Sequence, residues 1–303
     1  IIELQKTGAR TMVFVADLHA LTDNEPIVAK KFTKELVADY IALGLDPEKT
    51  IIYTQSAIEC QINVLTNLLA RHISVAELLR VPTLKEDKLK KNARPETANA
   101  LLLMYPVMMA ADILIQRAKE IPVGEDQLAH IEVARELARR FNSRYGEIFP
   151  LPKAREIKAL KILSLKGKNK MSKSFPEEAI FLSDSPEEAA RKIKKAETAT
   201  EGEMSDNLKS HVILAKELNA TEQEKKKIDE IIKQHMMKKQ VMGDFKIIFA
   251  EIVKKFLEQF QTSFNEIARD NKRVDSILES GAKIAATGAN ETLEIVRNAL
   301  YGK

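Results

Sequence analysis

Short apolar runs alternate with longer amphipathic stretches over the first half of the chain, and amphipathic stretches alone fill the second half. TMVFVADLHALT (11–22) begins with a β-branched and aromatic run and turns polar at Asp17 and His19. That is the pattern of a buried parallel strand whose carboxyl end carries functional groups. Residues 25–43 repeat with a helical period and stop at Gly44, which suits a helix C-terminus. Asp46-Pro47 is a turn, TIIYTQS (50–56) a second strand, and helix follows through Leu79. KEDKLKKNARPE (85–96) reads as an exposed loop, whereas ANALLLMYPVMMAADILIQRA (98–118) is apolar on every face, as in a buried helix. EIPVG (120–124) is a short strand, residues 126–142 an amphipathic helix, and KILSL (161–165) a further strand before the polar loop NKMSKS (169–174). From 186 onward the chain reads as long helices.

Strands alternating with helices, then helices alone, predict an α/β protein: a doubly wound, Rossmann-like parallel sheet over residues 1–180, followed by an all-α helical domain over 181–303. Ligands of such sheets lie outside the carboxyl ends of the strands. Asp17, His19, the turn 124–127 and the lysine-serine loop all fall at such ends.

Composition narrows the class. The chain has 303 residues, 45% hydrophobic and 30% charged, the balance of a soluble globular protein large enough for two domains. No apolar run approaches the ~20 residues that span a bilayer. The opening IIELQKTGAR lacks the apolar core of a secretory signal. The expected location is therefore cytoplasmic. Cys60 is the single cysteine, which excludes an internal disulfide and a cysteine-rich metal site. A net charge of +4 permits a nucleic-acid partner without demanding one. The runs RKIKKAE (191–197) and QEKKKIDEIIK (223–233) read as solvated helix faces.

One residue breaks the apolar helix. Asp112 sits between Ala110-Ala111 and Ile113-Leu114-Ile115, and a buried carboxylate needs a partner. Arg117 or a lysine elsewhere would make it a structural ion pair. A donor-only ligand group would make it a recognition residue, with a charge-assisted bond of roughly 1.5–3 kcal/mol; an indole N–H is such a group. With Pro106 in the first helical turn, Tyr105, Met109 and Asp112 share one face. The first two would offer aromatic and thioether contacts to a flat ring, or simply pack the core. Gly124-Glu125-Asp126-Gln127 is a strand-to-helix turn whose acidic groups suit ribose hydroxyls or merely the helix dipole. His130 reads as structural. No His, Cys or Asp grouping has metal-ligand spacing, and there is neither a nucleophile elbow nor a Walker-type phosphate loop.

YPVMMAADIL, IPVGEDQLAH and KMSKS (170–174), in this order and spacing, resemble the bacterial-type tryptophanyl-tRNA synthetases, class I aminoacyl-tRNA synthetases; VADLHALT, RVPTLKE and MGDFKIIFAEIV match the same family, so the likeness covers nearly the whole chain. The resemblance implies ATP-dependent activation of L-tryptophan to tryptophanyl-adenylate and transfer to tRNA(Trp), with Mg²⁺ accompanying ATP. It implies that Asp112 accepts the indole N–H, that Tyr105, Met109, Ile121, Val123 and Gln127 shape the amino-acid pocket, and that His19 lies nearby. Gly124, Glu125 and Asp126 would meet ATP at its ribose and Ile162 its adenine. Lys170, Ser172 and Lys173 would carry the catalysis at the phosphates, with Met171 and Ser174 in the same loop. The carboxyl-terminal helices would bind the tRNA, with the basic runs 192–195 and 225–227 as phosphate contacts. The protein would be a homodimer joined largely through helices preceding Tyr105. No role carries over to Lys85 and Lys88. With Cys60 alone, an iron-sulfur cluster cannot be ligated. Family members begin with a strand and a HIGH-like motif upstream of the region matching Ile1, so preceding residues are expected to supply them. The alternatives are a tyrosine-specific synthetase, a non-catalytic synthetase paralogue, and a nucleotidyltransferase, which would not need the long helical domain.

Overall fold

The computed structural model describes residues 1–21, 25–82, 84, 100–156, 162–167, 169–200 and 202–302, and for 26–31, 126 and 156 the backbone only. The polar segment 85–96, with Lys85 and Lys88, lies outside the described residues. The chain forms two compact units: Ile1–Ala159 with Ile267–Lys303, and Leu160–Glu266. The division expected at residue 180 is a single cut, whereas here the last helix returns to the first unit.

In the first unit, α1 (Ile2–Lys6) leads to β1 (Thr11–Val15), α2 (Asp17–Ala20), α3 (Pro26–Ala42), β2 (Thr50–Thr54), α4 (Glu59–Ala70), α5 (Val75–Leu78), α6 (Ala100–Ile115), β3 (Glu120–Val123), α7 (Leu128–Tyr145) and β4 (Lys153–Glu156). β1 pairs with β2 in parallel from Thr11↔Thr50 to Val15↔Thr54, and β3 with β4 from Glu120↔Lys153 to Val123↔Glu156. Parallel strands with crossover helices are the expected class. Among the described residues, however, they form two separate pairs rather than one continuous sheet. β4 escapes a hydrophobic-pattern search because KARE is mostly charged. The described residues 162–165 of KILSL are not a strand: Leu163 makes only an isolated antiparallel bridge to Lys170, because the chain reverses at once.

α6 is the axis of the first core. Val107, Ala110, Ala111, Leu114 and Ile115 are fully buried and pack with Ile62, Leu65 and Leu69 of α4 and Leu137, Ala138 and Phe141 of α7. Pro106 lies inside α6 rather than in its first turn, since ALLLM ahead of it already continues the helix; its missing N–H removes one bond of the helix at a cost that the buried packing of α6 offsets.

α12 (Asn271–Tyr301) lies against β2 because it is smooth there. Gly281, Ala285 and Ala289 recur every four residues and are buried. A Cβ on Gly281 would sit 1.9 Å from the backbone oxygen of Ile52. That close approach draws the carboxyl-terminal helix into the first unit.

The second unit holds α8 (Pro186–Lys194), α9 (Asp206–Glu217), α10 (Glu222–Met236) and most of α11 (Met242–Arg269). Ser185, Ser205 and Thr221 cap the first three through the backbone N–H groups of Glu188, Leu208 and Glu224. Phe245, Phe249, Ile252 and Val253 of α11 close the core on Leu208, Ile228, Ile193 and Leu165. Lys192 is buried, pairs with Asp184 at 2.8 Å and donates to the Ala179 carbonyl. It is thus a structural cation rather than the phosphate contact expected of it, while Lys194 and Lys195 stay exposed. Among the described residues no helix is long and apolar enough to cross a membrane.

Gly281→Ala is expected to destabilise the protein by about 2 kcal/mol or more, because backbone cannot yield as a side chain can. Gly288→Ala, where an added carbon meets only the flexible Gln116 amide at 3.2 Å, should change stability by less than about 1 kcal/mol. Urea denaturation of both variants checks the contrast.

Candidate active site

The carboxyl ends of β1 and β2 and the middle of α6 meet at Asp112. Asp112 is 5% exposed, and the Gln55 amide donates to both its carboxylate oxygens at 2.9 and 2.8 Å. Gln55, itself fully buried, follows β2 directly. Its Nε2 also stands 2.8 Å from His19 Nδ1, and its Oε1 accepts from the His19 backbone N–H at 3.2 Å. His19 Nε2 lies 3.4 Å from the Tyr105 carbonyl. A neutral imidazole protonated at Nε2 fits this chain: it donates to Tyr105 and receives from Gln55 at Nδ1. Asp17 accepts from the Ser56 backbone N–H at 2.9 Å, tying the two strand ends together.

The ion pair with Arg117 is absent. Burial pushes the Asp112 carboxyl up to about 8, a rise the hydrogen bond from Gln55 only partly offsets. The His19 ring stands 3.6 Å from the Asp112 carboxylate. Asp112 also walls a cavity of about 1260 Å³ together with Met12, Phe14, Tyr53, Gln116 and Ile121. Gln55 was missed by sequence reasoning. The rule that singled out Asp17 and His19, a polar residue just past a strand, applies to it equally.

Tyr105 is buried, edge-on to His130 at 5.5 Å, in a small cluster with Val81, Leu84 and Leu102. Met109 and Gln127 are half-buried and Val123 buried; with Tyr105 and His19, they are not among the cavity's described walls. Gly124 has an extended backbone, φ −73° and ψ 165°, that any residue could adopt. Glu125 is exposed, and the Asp126 side chain lies outside the described residues.

In the second unit the lysine-serine segment is one arm of a tight hairpin. Ser164 N–H donates to the Asn169 carbonyl and Met171 N–H to that of Ile162. The turn passes through Gly167 at φ +79°, where a side chain would be strained. Met171 packs on the core and accepts weakly from the Ile180 N–H, whereas Lys170, Ser172, Lys173 and Ser174 are exposed. Neither lysine has an ion-pair partner among the described residues, so both charges remain free for a ligand. Three residues of α9 hold the hairpin's base. Ser210 accepts from the Leu163 N–H at 2.7 Å, and Asn207 and His211 lie 3.1 and 3.2 Å from the Ser164 carbonyl. Burial holds the His211 pKa below its ordinary value.

A family model described as tRNA synthetases class I (W and Y) matches residues 1–258. The chain belongs to this family. A Chlamydia caviae tryptophan–tRNA ligase is 34% identical over 313 residues, covering 99% of this chain and 88% of that protein. A Thermotoga maritima tryptophan–tRNA ligase is 45% identical over 176 residues, covering 57% of this chain and 53% of that ligase, about half its length. The crystal structure of a Campylobacter jejuni tryptophanyl-tRNA synthetase, complexed with ADP and tryptophan, superposes with a TM-score of 0.80 at 28% identity, covering 99% of this chain and 92% of that one.

In this class I synthetase, then, β1, β2 and α6 bring Asp17, His19, Gln55 and Asp112 together, and a separate hairpin presents Lys170 and Lys173. Among the described residues no three His, Cys, Asp or Glu side chains group as a metal site.

The raised carboxyl has a thermodynamic consequence. In the folded state Asp112 keeps its proton up to about pH 8, whereas unfolded it loses it near 4. The folded state therefore holds the extra proton between those values, and this contribution to stability is lost as pH rises from about 4 to about 8. Asp112→Asn should flatten the fall, as measured by denaturation midpoints across that range.

Proposed function

We propose that this chain activates L-tryptophan with ATP and transfers it to tRNA(Trp). The tryptophan carboxylate oxygen attacks the α-phosphorus, the bond to the bridging oxygen breaks, and pyrophosphate leaves. A ribose hydroxyl of the terminal adenosine of the tRNA then attacks the acyl carbon, and AMP departs. The observation that carries the specificity is Asp112, sealed in apolar helix and held by an amide rather than a protein cation. A donor-only ring N–H fits such an acceptor; a phenol, which both donates and accepts, fits it less well. Gln55 anchors the carboxylate, and His19 stands beside it.

Tyr105, Met109, Ile121, Val123 and Gln127 shape the amino-acid pocket, and Gly124, Glu125, Asp126 and Ile162 take the adenosine. Lys170, Ser172 and Lys173 bind the phosphates, with Lys173 meeting the charge that develops on pyrophosphate. Met171 fixes the hairpin to its core, and Ser174 closes the segment. Mg²⁺ arrives with ATP as part of the substrate. The helical segments after residue 181 recognise the tRNA, and the enzyme works in the cytoplasm as a homodimer. Val64, Val75 and Leu101, exposed apolar residues on α4, α5 and α6, support an interface ahead of Tyr105.

Tryptophan-dependent ATP–pyrophosphate exchange tests the reading, with tyrosine as comparison; exchange supported equally by tyrosine would refute it. The chain contains no tryptophan, so ligand fluorescence can be titrated without background. Asp112→Ala should weaken tryptophan binding about tenfold or more and leave ATP binding nearly intact; equal loss of both would make the residue structural. Lys173→Ala should slow exchange by about 100-fold or more without changing tryptophan affinity in the absence of ATP.

A further inference from the structure

Beside the carboxyl end of α4 and the last turn of α7, His72, Arg139, Arg140, Ser143 and Arg144 wall a cavity of about 510 Å³. Its floor is fixed. The Arg140 guanidinium donates to Glu136 at 2.7 Å, to the His72 carbonyl at 2.8 Å and to Glu77 at 2.6 Å. The His72 ring stands edge-on to Phe141 and Tyr145 at 5.5 and 5.7 Å. Arg139 also contacts Glu136. Arg71 and Arg144 are exposed and have no carboxylate partner among the described residues. Burial, with Arg144, Arg71 and Arg140 close by, holds the His72 pKa below its ordinary value, so its ring adds no charge at neutral pH. Three guanidinium groups on the walls against the carboxylates of Glu77 and Glu136 leave a net charge of +1, and Arg71, close enough to act on His72 though not itself a wall, raises it to +2.

Arg71 caps α4 and Arg144 lies in the last turn of α7, where a cation suits the helix dipole. That role needs one charge at each helix end. It does not explain a concavity in which Arg140 is locked by its own carboxylates while Arg144 stays unpaired on the wall it shares with Ser143 and Arg71 stays unpaired close to His72. Guanidinium forks with a hydroxyl beside them match the oxygens of a phosphodiester.

We propose that this concavity is a docking site for RNA phosphate, engaging one or two phosphodiester groups of the tRNA substrate. The inference rests on the aminoacyl-tRNA reading above and adds a contact on the first unit, apart from the helical segments assigned to tRNA.

The test compares the full chain with Arg71→Ala/Arg144→Ala and with the charge-keeping Arg71→Lys/Arg144→Lys. Retention of a tRNA(Trp) transcript on filters is followed from about 50 to about 200 mM salt. The alanine pair should bind about tenfold more weakly at the low-salt end. Its plot of log affinity against log salt should be flatter by about 2, close to 1 per arginine, while the lysine pair keeps the parent slope. An alanine pair with the parent's affinity and slope would overturn the proposal. So would a shift from dimer to monomer in sedimentation with the slope unchanged, which would assign the patch to an acidic surface of a second copy. Tryptophan-dependent exchange needs no tRNA and is read separately. Its absence in the parent would refute the enzyme reading, while the salt slopes still decide the patch.

Discussion

A carboxylate enclosed by alanine, isoleucine and leucine is the constraint around which the first unit is arranged. Asp112 can lie in the middle of α6 because Gln55 reaches it from the end of β2 and donates to both its oxygens. Gln55 is itself positioned by His19 from the end of β1. Three elements distant in sequence are thereby fixed by one polar chain inside an apolar shell, where low dielectric strengthens every bond in it and penalises any that is left unmade. The amide partner matters as much as the acid. A lysine or arginine in its place would have neutralised the charge within the protein; a neutral donor leaves acceptor capacity for a ligand.

The second unit applies the reverse logic to positive charge. Met171 sits on the core while the lysines on either side of it point to solvent without partners. A hairpin with one apolar anchor and a glycine turn keeps its cations oriented yet free of internal ion pairs. Phosphoryl transfer needs that kind of help more than a covalent catalyst. Asn207, Ser210 and His211, spaced three and four apart on α9, secure the base of the hairpin through its backbone.

The alternation of strands and helices, the buried helix and the lysine-serine loop could all be read from residue order, because each rests on local periodicity or on a motif with a stated chemistry. Asp112 stood out for the same reason: a charge in an apolar run is visible without a structure. Gln55 obeys the same rule as Asp17 and His19, a polar residue just past a strand, but its partner lies far along the chain and could not be read from residue order. β4 was hidden by charged residues on a sheet edge, and KILSL misled because its apolar residues serve a hairpin base. The return of α12 to the first unit depended on Gly281 meeting the Ile52 backbone, a contact between positions more than two hundred residues apart. Lys192 looked solvated in a basic run until the fold supplied Asp184.

On the proposed function, the Asp112 carboxylate receives the ring N–H of the amino-acid substrate. The most direct measurement is a cycle between that carboxylate and that hydrogen, using tryptophan and an analogue whose ring nitrogen is replaced by sulfur, each titrated against the parent and Asp112→Ala. Above about pH 8, where the carboxyl is ionised, the parent should prefer tryptophan by about 10- to 100-fold, the range of a charge-assisted bond, and the variant should bind the two alike. A parent indifferent to the missing hydrogen, or a variant that keeps the preference, would contradict the claim.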